Sequence, residues 1–190
     1  QIIISLLNLQ IRNIKNPDVL KPLKESRNRI RSMALVHEKL YQSTGISHID
    51  FQEYVETISK ELYHAYADPK HSVDLRLELS PVFLSIDQAI PCGLLINELI
   101  TNAFKYAFPP GWKEKREIRI SMAERPENSI QLSVADNGKG ILKEVNLESS
   151  ETLGFQLVSL LKTQLDAKMK IKREKGICWE IEFTKIGFDF

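Results

Sequence analysis

One segment, the run from Asn97 to Tyr106, constrains the fold and chemistry of this chain more than any other. Within it, Glu98, Asn102 and Lys105 are spaced i, i+4, i+7, which places them on one face if the segment is a helix. A carboxylate, a carboxamide oxygen and an ammonium group suit a magnesium-bound polyphosphate. The run predicts a helix that contacts such a group. The alternative is an exposed Glu–Lys pair beside a solvent-facing Asn, and spacing alone leaves both interpretations open.

A second segment, Asp136 to Gly140, follows an alternating apolar run and reads Asp-Asn-Gly-Lys-Gly. A carboxylate at a strand end could accept a hydrogen bond from the exocyclic amine of adenine. Glycines at 138 and 140 would let the backbone approach the base closely. An ordinary Asp-Asn-Gly turn is the alternative.

A third segment, Leu153-Gly154-Phe155, opens a predicted helix, where a glycine can expose backbone N–H groups to phosphate. A simple loop-to-helix junction is the alternative here. Each of the three segments is weak evidence alone, but their order and spacing together favour an ATP site.

Hydrophobic periodicity indicates the order of the elements. It predicts helices over about 2–14, 19–42, 51–66, 91–108 and 152–165, and strands over about 73–79, 118–122, 130–134, 168–173 and 178–184. Asp50 and Glu53 have the spacing of a capping box at the start of the third helix. The predicted fold class is α+β, with an N-terminal helical hairpin (1–48) followed by a two-layer sandwich of helices on a mostly antiparallel sheet (49–190).

Composition restricts the partners and the location. A net charge of +1 over 190 residues gives no electrostatic argument for nucleic acid or an acidic membrane surface. Cys92 and Cys178 lie in apolar surroundings without pairing or metal-ligand spacing, as expected of core residues in a reduced, cytoplasmic protein. No apolar run reaches the ~20 residues of a membrane helix, and no signal peptide is recognisable. Because the sequence begins at Gln1 in the middle of an apolar pattern, we expect it to be part of a longer protein.

From about Phe51 onward the chain resembles the ATP-binding domain of sensor histidine kinases, the Bergerat fold shared by the GHKL ATPases. Residues 98–106 resemble the family's N box, 136–141 its first glycine box and 152–158 its second. The N-terminal part is similar to the dimerisation helices of one histidine kinase subgroup, in which the phosphoacceptor segment reads His-Arg-x-Lys-Asn-Asn-Leu-Gln.

This resemblance implies a kinase that binds ATP and Mg²⁺ and transfers the γ-phosphoryl group to a histidine, from which a response-regulator receiver aspartate takes it. It implies that Glu98 is the catalytic base or polarising carboxylate and that Asn102 binds Mg²⁺. The implied ATP-binding residues are Asn102, Lys105, Tyr106, Asp136, Gly138, Gly140, Ile141, Leu153 and Gly154. Three departures concern the lid and the adenine pocket: only Gly154 remains in the second glycine box, no phenylalanine box is evident after Ile141, and Gly176-Ile177 replaces the usual Gly-Thr.

The resemblance places the phosphoacceptor histidine before Gln1, so we expect none in this chain. His37-Glu38 is similar to the acceptor motif of other kinases, but His37 falls on the apolar stripe of the second helix and is expected to pack there. The alternating arginines 27, 29 and 31 are expected to form a solvated helix face, with docking of an acidic partner as the alternative.

The apolar stripes of the two N-terminal helices exceed what a hairpin can bury. They predict a homodimer through a four-helix bundle, the alternative being packing against the rest of the same chain. Two other functions stay open: an anti-sigma-type serine kinase or other GHKL ATPase, and a non-catalytic, dimeric nucleotide-binding scaffold.

Overall fold

The computed structural model describes residues 2–42, 49–66, 72–141, 153–173 and 175–186, without the side chains of residues 21, 32, 33, 35–42 and 153. The helices are α1 (Ile2–Asn13), α2 (Pro17–Gln42), α3 (Phe51–Tyr66), α4 (Ile86–Asn102) and α5 (Leu153–Gln164), and a π-helix (Ala103–Ala107) continues α4. The strands are β1 (Ile49–Asp50), β2 (Val73–Leu79), β3 (Phe83–Leu84), β4 (Arg116–Arg125), β5 (Ser129–Asp136), β6 (Lys168–Lys172) and β7 (Ile177–Thr184).

The main sheet has the strand order β2-β4-β5-β7-β6, and within the described residues β2 and β4 are its one parallel pair. Alternate residues of the central strands are buried, as period-two patterning requires. They are Ile118, Ile120 and Met122 in β4 and Ile130, Leu132 and Val134 in β5. Most of these residues form one core with apolar side chains of α3, α4 and α5. The predicted α+β class with a mostly antiparallel sheet is confirmed.

Helices α1 and α2 pack against each other, and α2 also packs against α4. No residue of α1 is buried, and four of its apolar side chains are more than half exposed. These are Ile2, Ile3, Leu6 and Leu9. Packing within the chain therefore accounts for part of α2 but leaves an apolar surface on α1.

Helix α4 differs from its predicted boundaries. The predicted start was Pro91 or slightly earlier, whereas the helix begins at Ile86 after Ser85 in extended conformation, so Pro91 lies inside it. Pro91 resembles a first-turn proline in sequence, but it removes one hydrogen bond near the N-terminus, which the buried helix tolerates. The other end changes from α to π geometry after Asn102, a feature often found at functional sites.

The start of α3 matches its sequence signal. The backbone N–H of Glu53 donates to Oδ1 of Asp50 at 3.1 Å, which is the cap half of the predicted capping box. Strand β1, which precedes it, pairs with β3 in a two-stranded sheet that the sequence pattern did not predict. Such two-residue strands carry too few alternating positions to be recognised.

Candidate nucleotide site

A cavity of about 990 Å³ lies between α2, α4, the π-helix, the end of β5 and the start of α5. This volume is at the upper end of the range typical of small-molecule sites. Eight of the residues predicted to act on the nucleotide line it: Glu98, Asn102, Lys105, Tyr106, Asp136, Gly140, Ile141 and Gly154. Gly138 lies beside the cavity instead of lining it, and the side chain of Leu153 is outside the described part of the chain.

Asp136 is the last residue of β5 and is partly buried. Burial raises the pKa of its carboxyl group, and backbone N–H groups of Gly138 and Ile177 oppose that rise. The Gly138 N–H donates to Oδ1 at 2.9 Å. Because a carboxylate has about four acceptor positions, capacity remains for a donor from a ligand.

Two glycines are required by close backbone contacts around Asp136. A Cβ atom on Gly138 would collide with the backbone of Ala107, and one on Gly176 would collide with the backbone of Asp136. Gly176 was noted in the sequence as a departure from the family pattern and not as a site residue. The sequence feature that could have identified Gly176 as a site residue is its position in a short polar turn before the final strand.

The neighbouring Asn137 does not line the cavity, and its side chain bonds to the backbone instead. Its Oδ1 accepts from the N–H of Glu117 at 2.8 Å and its Nδ2 donates to the carbonyl of Lys115 at 2.7 Å. These bonds fix the loop after β5 to the start of β4, which positions Asp136.

Two polar side chains of α4 that the sequence analysis did not select also line the cavity. Asn97 and Thr101 are 2% and 8% exposed, and within the described residues Oδ1 of Asn97 and Oγ1 of Thr101 lack a hydrogen-bond partner. An unpaired buried polar atom costs about 1–3 kcal/mol, so both atoms are candidates for a ligand contact. Among the described residues, one side-chain atom each of Tyr54, Ser59, Ser85 and Trp112 is also buried and unpaired, outside the cavity. The sequence feature that could have identified Asn97 and Thr101 is a polar i, i+4 pair inside an otherwise apolar helix.

Glu98 is engaged by α2. Nε of Arg29 lies 2.5 Å from Oε1 of Glu98, and Nη2 lies 3.0 Å from Oε2. The two side chains are 14% and 6% exposed. The hydrogen bond to Glu98 raises the pKa of Arg29. The pair is therefore a partly buried, two-point guanidinium–carboxylate contact.

The three alternating arginines of α2 thus have different surroundings. Arg31 is 65% exposed beside Glu61, in agreement with the predicted solvated face, whereas Arg27 bonds to Asn8 and Asn28. For Arg29 the prediction was wrong, because its partner is 69 residues away in sequence and belongs to the cavity.

Lys105 is also engaged by α2. Its Nζ lies 2.7 Å from Oε1 of Glu25 and 5.9 Å from the ring centroid of Tyr66, which stacks on Phe104. Lys105 belongs to the π-helix, whose wider turns alter the straight i, i+7 alignment assumed for an α-helix. Helix α2 thus holds both charged side chains that were predicted to serve the phosphates.

The residues present fit a nucleotide with its cation. Mg²⁺ in phosphate sites takes one or two protein oxygens, and the half-buried Asn102 carboxamide at the cavity supplies one. Within the described ranges, no group of three or more His, Cys, Asp or Glu side chains could hold a metal ion by itself.

Several predictions concern positions outside the described residues. The side chain of His37 and residues 142–152, where no phenylalanine box is evident in the sequence, belong to this group. Of the cysteines, Cys92 is buried as predicted, and Cys178 is only partly buried.

Comparison with known families identifies the class of protein. Residues 87–185 match the family of histidine kinase-, DNA gyrase B- and HSP90-like ATPases, and residues 1–66 match a family described as histidine kinase. The chain belongs to these families: it is a sensor histidine kinase core, made of the helical part and the ATPase domain together.

Individual relatives agree with this assignment. The chain is 32% identical to the sensor histidine kinase PdtaS of Mycobacterium tuberculosis over 183 residues, covering 93% of this chain and 35% of the relative. It is 30% identical to PdtaS of Mycolicibacterium smegmatis over 174 residues, covering 89% and 33%. The chain thus spans about a third of the length of these kinases.

Solved structures share the fold. The blue-light activated histidine kinase EL346 of Erythrobacter litoralis matches with a TM-score of 0.78 and 17% identity, over 96% of this chain and 58% of that one. Its separate histidine kinase domain matches with a TM-score of 0.77, over 97% and 95%. Among the described residues, no helix has the length and apolar character needed to cross a membrane.

Proposed function

We propose that this chain is the catalytic core of a two-component histidine kinase that binds Mg-ATP in the 990 Å³ cavity. The observation that carries the proposal is that Asp136 lines the same cavity as Glu98, Asn102 and Lys105. The fold thereby brings together, from distant parts of the sequence, a carboxylate suited to the base and several groups suited to the phosphates.

At the adenine end, the Asp136 carboxylate accepts a hydrogen bond from the exocyclic amine of the base. The absence of side chains at Gly138 and Gly176 keeps the surrounding backbone close. Gly140 has a φ of +68°, a left-handed backbone conformation that favours glycine. Ile141 and Tyr106 line the cavity beside these groups and add apolar contact area.

At the phosphate end, Asn102 binds Mg²⁺, which neutralises phosphate charge when bound. Lys105 contributes a second positive charge, and Gly154 leaves the start of α5 open to the phosphate chain. Glu98 accepts the proton of the attacking imidazole. The imidazole nitrogen bonds to the γ-phosphorus while the bond to the bridging oxygen breaks, and ADP leaves. Catalysis is then mainly positioning and charge stabilisation.

The acceptor is a histidine on the N-terminal helices, which the family resemblance places before Gln1. A receiver-domain aspartate takes the phosphoryl group from it. The exposed apolar residues of α1 support a homodimer through these helices, since the described part of the chain covers little of them.

The helical hairpin favours this function over an anti-sigma-type serine kinase. That class does not need a leading hairpin, whereas here α2 contacts Glu98 and Lys105 through Arg29 and Glu25. We expect that removing residues 2–42 from the chain extended upstream to the acceptor segment abolishes its autophosphorylation; retained ATP-dependent activity would favour the serine kinase or another GHKL ATPase.

The test is autophosphorylation with γ-labelled ATP, using the chain extended upstream to include the acceptor segment. We expect acid-labile label on the extended chain, its transfer to a receiver domain, and no label on residues 1–190 alone. Nucleotide binding without label on the extended chain would favour a non-catalytic scaffold. Label at His37 would overturn the assignment of the acceptor.

A further inference from the structure

The Arg29–Glu98 pair lies where α5 begins. A Cβ atom at Gly154 would be 3.5 Å from Oε2 of Glu98 and 4.0 Å from Nη2 of Arg29. A carboxylate clamped by a guanidinium therefore sits against the N-terminal turn of a helix, in a cavity that also contains Asn102 and Lys105. A phosphate group bound at this helix N-terminus beside the guanidinium would have the same surroundings as the Glu98 carboxylate.

The cavity has no surplus of positive charge in this arrangement. Its described lining holds four carboxylates and three cations: Asp18, Glu25, Glu98 and Asp136 against Arg29, Lys105 and Lys139. A magnesium–triphosphate complex is itself an anion, so it gains little from cations that are already paired. Binding becomes favourable when a cation exchanges its carboxylate partner for a phosphate.

We propose that Arg29 is a γ-phosphate-binding residue that exchanges Glu98 for the terminal phosphoryl group of ATP. This inference rests on the proposed function. The guanidinium fork matches a phosphate as well as a carboxylate, because both present two oxygens at similar spacing. The exchange also frees the Glu98 carboxylate to accept a proton, so the pair is broken only when the group to be transferred is present.

The consequence is discrimination between ATP and ADP. ADP has no γ-phosphoryl group, so Arg29 stays on Glu98 and contributes nothing to ADP affinity. Arg29 gives up its contact to Glu98 in order to bind the γ-phosphate, so the preference for ATP is the difference between these two contacts. The γ-phosphate carries more negative charge than a carboxylate, and we expect a net gain on the order of one charged hydrogen bond, which corresponds to roughly a ten- to hundredfold preference for ATP. The preference would disappear as soon as the γ-phosphoryl group is transferred, which assists release of ADP.

Helix α2 supplies its own controls. Arg27 and Arg31 have the same charge and lie two residues to either side of Arg29, but they pair with Asn8, Asn28 and Glu61. Neither contacts Glu98 in the structure. Substitution at these positions removes one positive charge from α2 without removing the contact.

The experiment is calorimetric titration of Mg-ATP and Mg-ADP into the wild type, Arg29→Gln, Arg29→Lys, Arg27→Gln and Arg31→Gln, each first checked for folding by circular dichroism. We expect Arg29→Gln to lower the ratio of ATP to ADP affinity about ten- to hundredfold. Arg29→Lys, which keeps the charge but not the fork, should give an intermediate ratio. Both control variants should keep the wild-type ratio.

The double variant Arg29→Gln/Glu98→Gln separates the proposed contact from simple repulsion by an unpaired Glu98. If Arg29 binds the γ-phosphate, the double variant also lacks the ATP preference. Recovery of the preference in the double variant, or equal losses of ATP and ADP affinity in Arg29→Gln, would overturn the inference while leaving the proposed function intact. Failure of the wild type to bind either nucleotide would instead refute the proposed function, and the inference with it.

Discussion

The backbone N–H of Lys139 donates to the carbonyl oxygen of Ala107 at 2.9 Å, which joins the loop after β5 to the end of the π-helix. Gly138 lies directly against the same carbonyl group. The adenine end and the phosphate end of the cavity are thus connected through one backbone contact.

This contact makes Gly138→Ala a sensitive substitution. The added methyl group would collide with the Ala107 backbone, so we expect a loss of about 1–3 kcal/mol in the free energy of unfolding and weaker ATP binding. Urea unfolding measures the first effect. Gly154→Ala is the matched control, because its Cβ would lie no closer than 3.5 Å to any atom of the described residues, and the stability of this variant should not fall. Equal stability of the two variants would contradict the account.

Asp136→Asn should make the protein more stable at neutral pH while weakening its binding of ATP. Because burial raises the pKa of Asp136, the folded protein binds more protons than the unfolded chain between the two pKa values, and stability falls as pH rises through the folded pKa. An Asn side chain does not ionise, so the variant does not lose stability in this way as pH rises. Its carboxamide oxygen can still accept the hydrogen bond from the Gly138 N–H.

Unfolding at pH 7 and at about pH 3.5, just below the ordinary Asp pKa of about 3.9, measures the difference. The variant should gain stability relative to the wild type at the higher pH only. ATP affinity should fall roughly tenfold or more, since a charged hydrogen bond is lost. A variant that is less stable at pH 7 than at pH 3.5, relative to the wild type, would contradict the assignment.

Thr101→Val tests whether the unpaired Thr101 hydroxyl in the cavity contacts a bound ligand. Valine has a similar shape and removes a buried oxygen that has no partner among the described residues, so we expect a gain of about 1 kcal/mol in unfolding free energy. The same variant should bind Mg-ATP more weakly if the hydroxyl contacts the nucleotide. Unchanged stability together with unchanged binding would show that the hydroxyl is satisfied in solution.

The Arg29–Glu98 pair should also stabilise the docking of α2 on α4. Removing Arg29 alone leaves a carboxylate that is 6% exposed, and breaking such a pair costs about 3 kcal/mol. Hydrogen exchange of α2 amides in Arg29→Ala should therefore be faster. Arg31→Ala, at an exposed site, should change stability by less than about 1 kcal/mol. Similar exchange in both variants would show that the pair does not hold α2 in place.

The sequence was sufficient for the features that depend on local spacing. The polar residues of 98–106 and the Asp-Asn-Gly turn at 136 were recognisable because their neighbours along the chain define them. The alternating strands β4 and β5 were predicted for the same reason. Their convergence on one cavity follows from the sheet and from α4 packing beside β5.

Long-range pairing was not predictable in the same way. Arg29 looks like Arg27 and Arg31 in sequence, and only the packing of α2 on α4 brings it to Glu98. The π-helix at 103–107 and the contact of Gly176 with Asp136 likewise depend on tertiary packing. These are features that side-chain periodicity does not encode.

The most direct test of the account is calorimetric titration of ATP into the wild type and Asn102→Ala, with and without Mg²⁺. We predict that the wild type binds one ATP per chain, more tightly with Mg²⁺ than without it. Asn102→Ala should lose most of the magnesium dependence while remaining folded. A wild type that fails to bind ATP, or an Asn102→Ala variant with the full magnesium dependence, would contradict the assignment of this cavity as the Mg-ATP site.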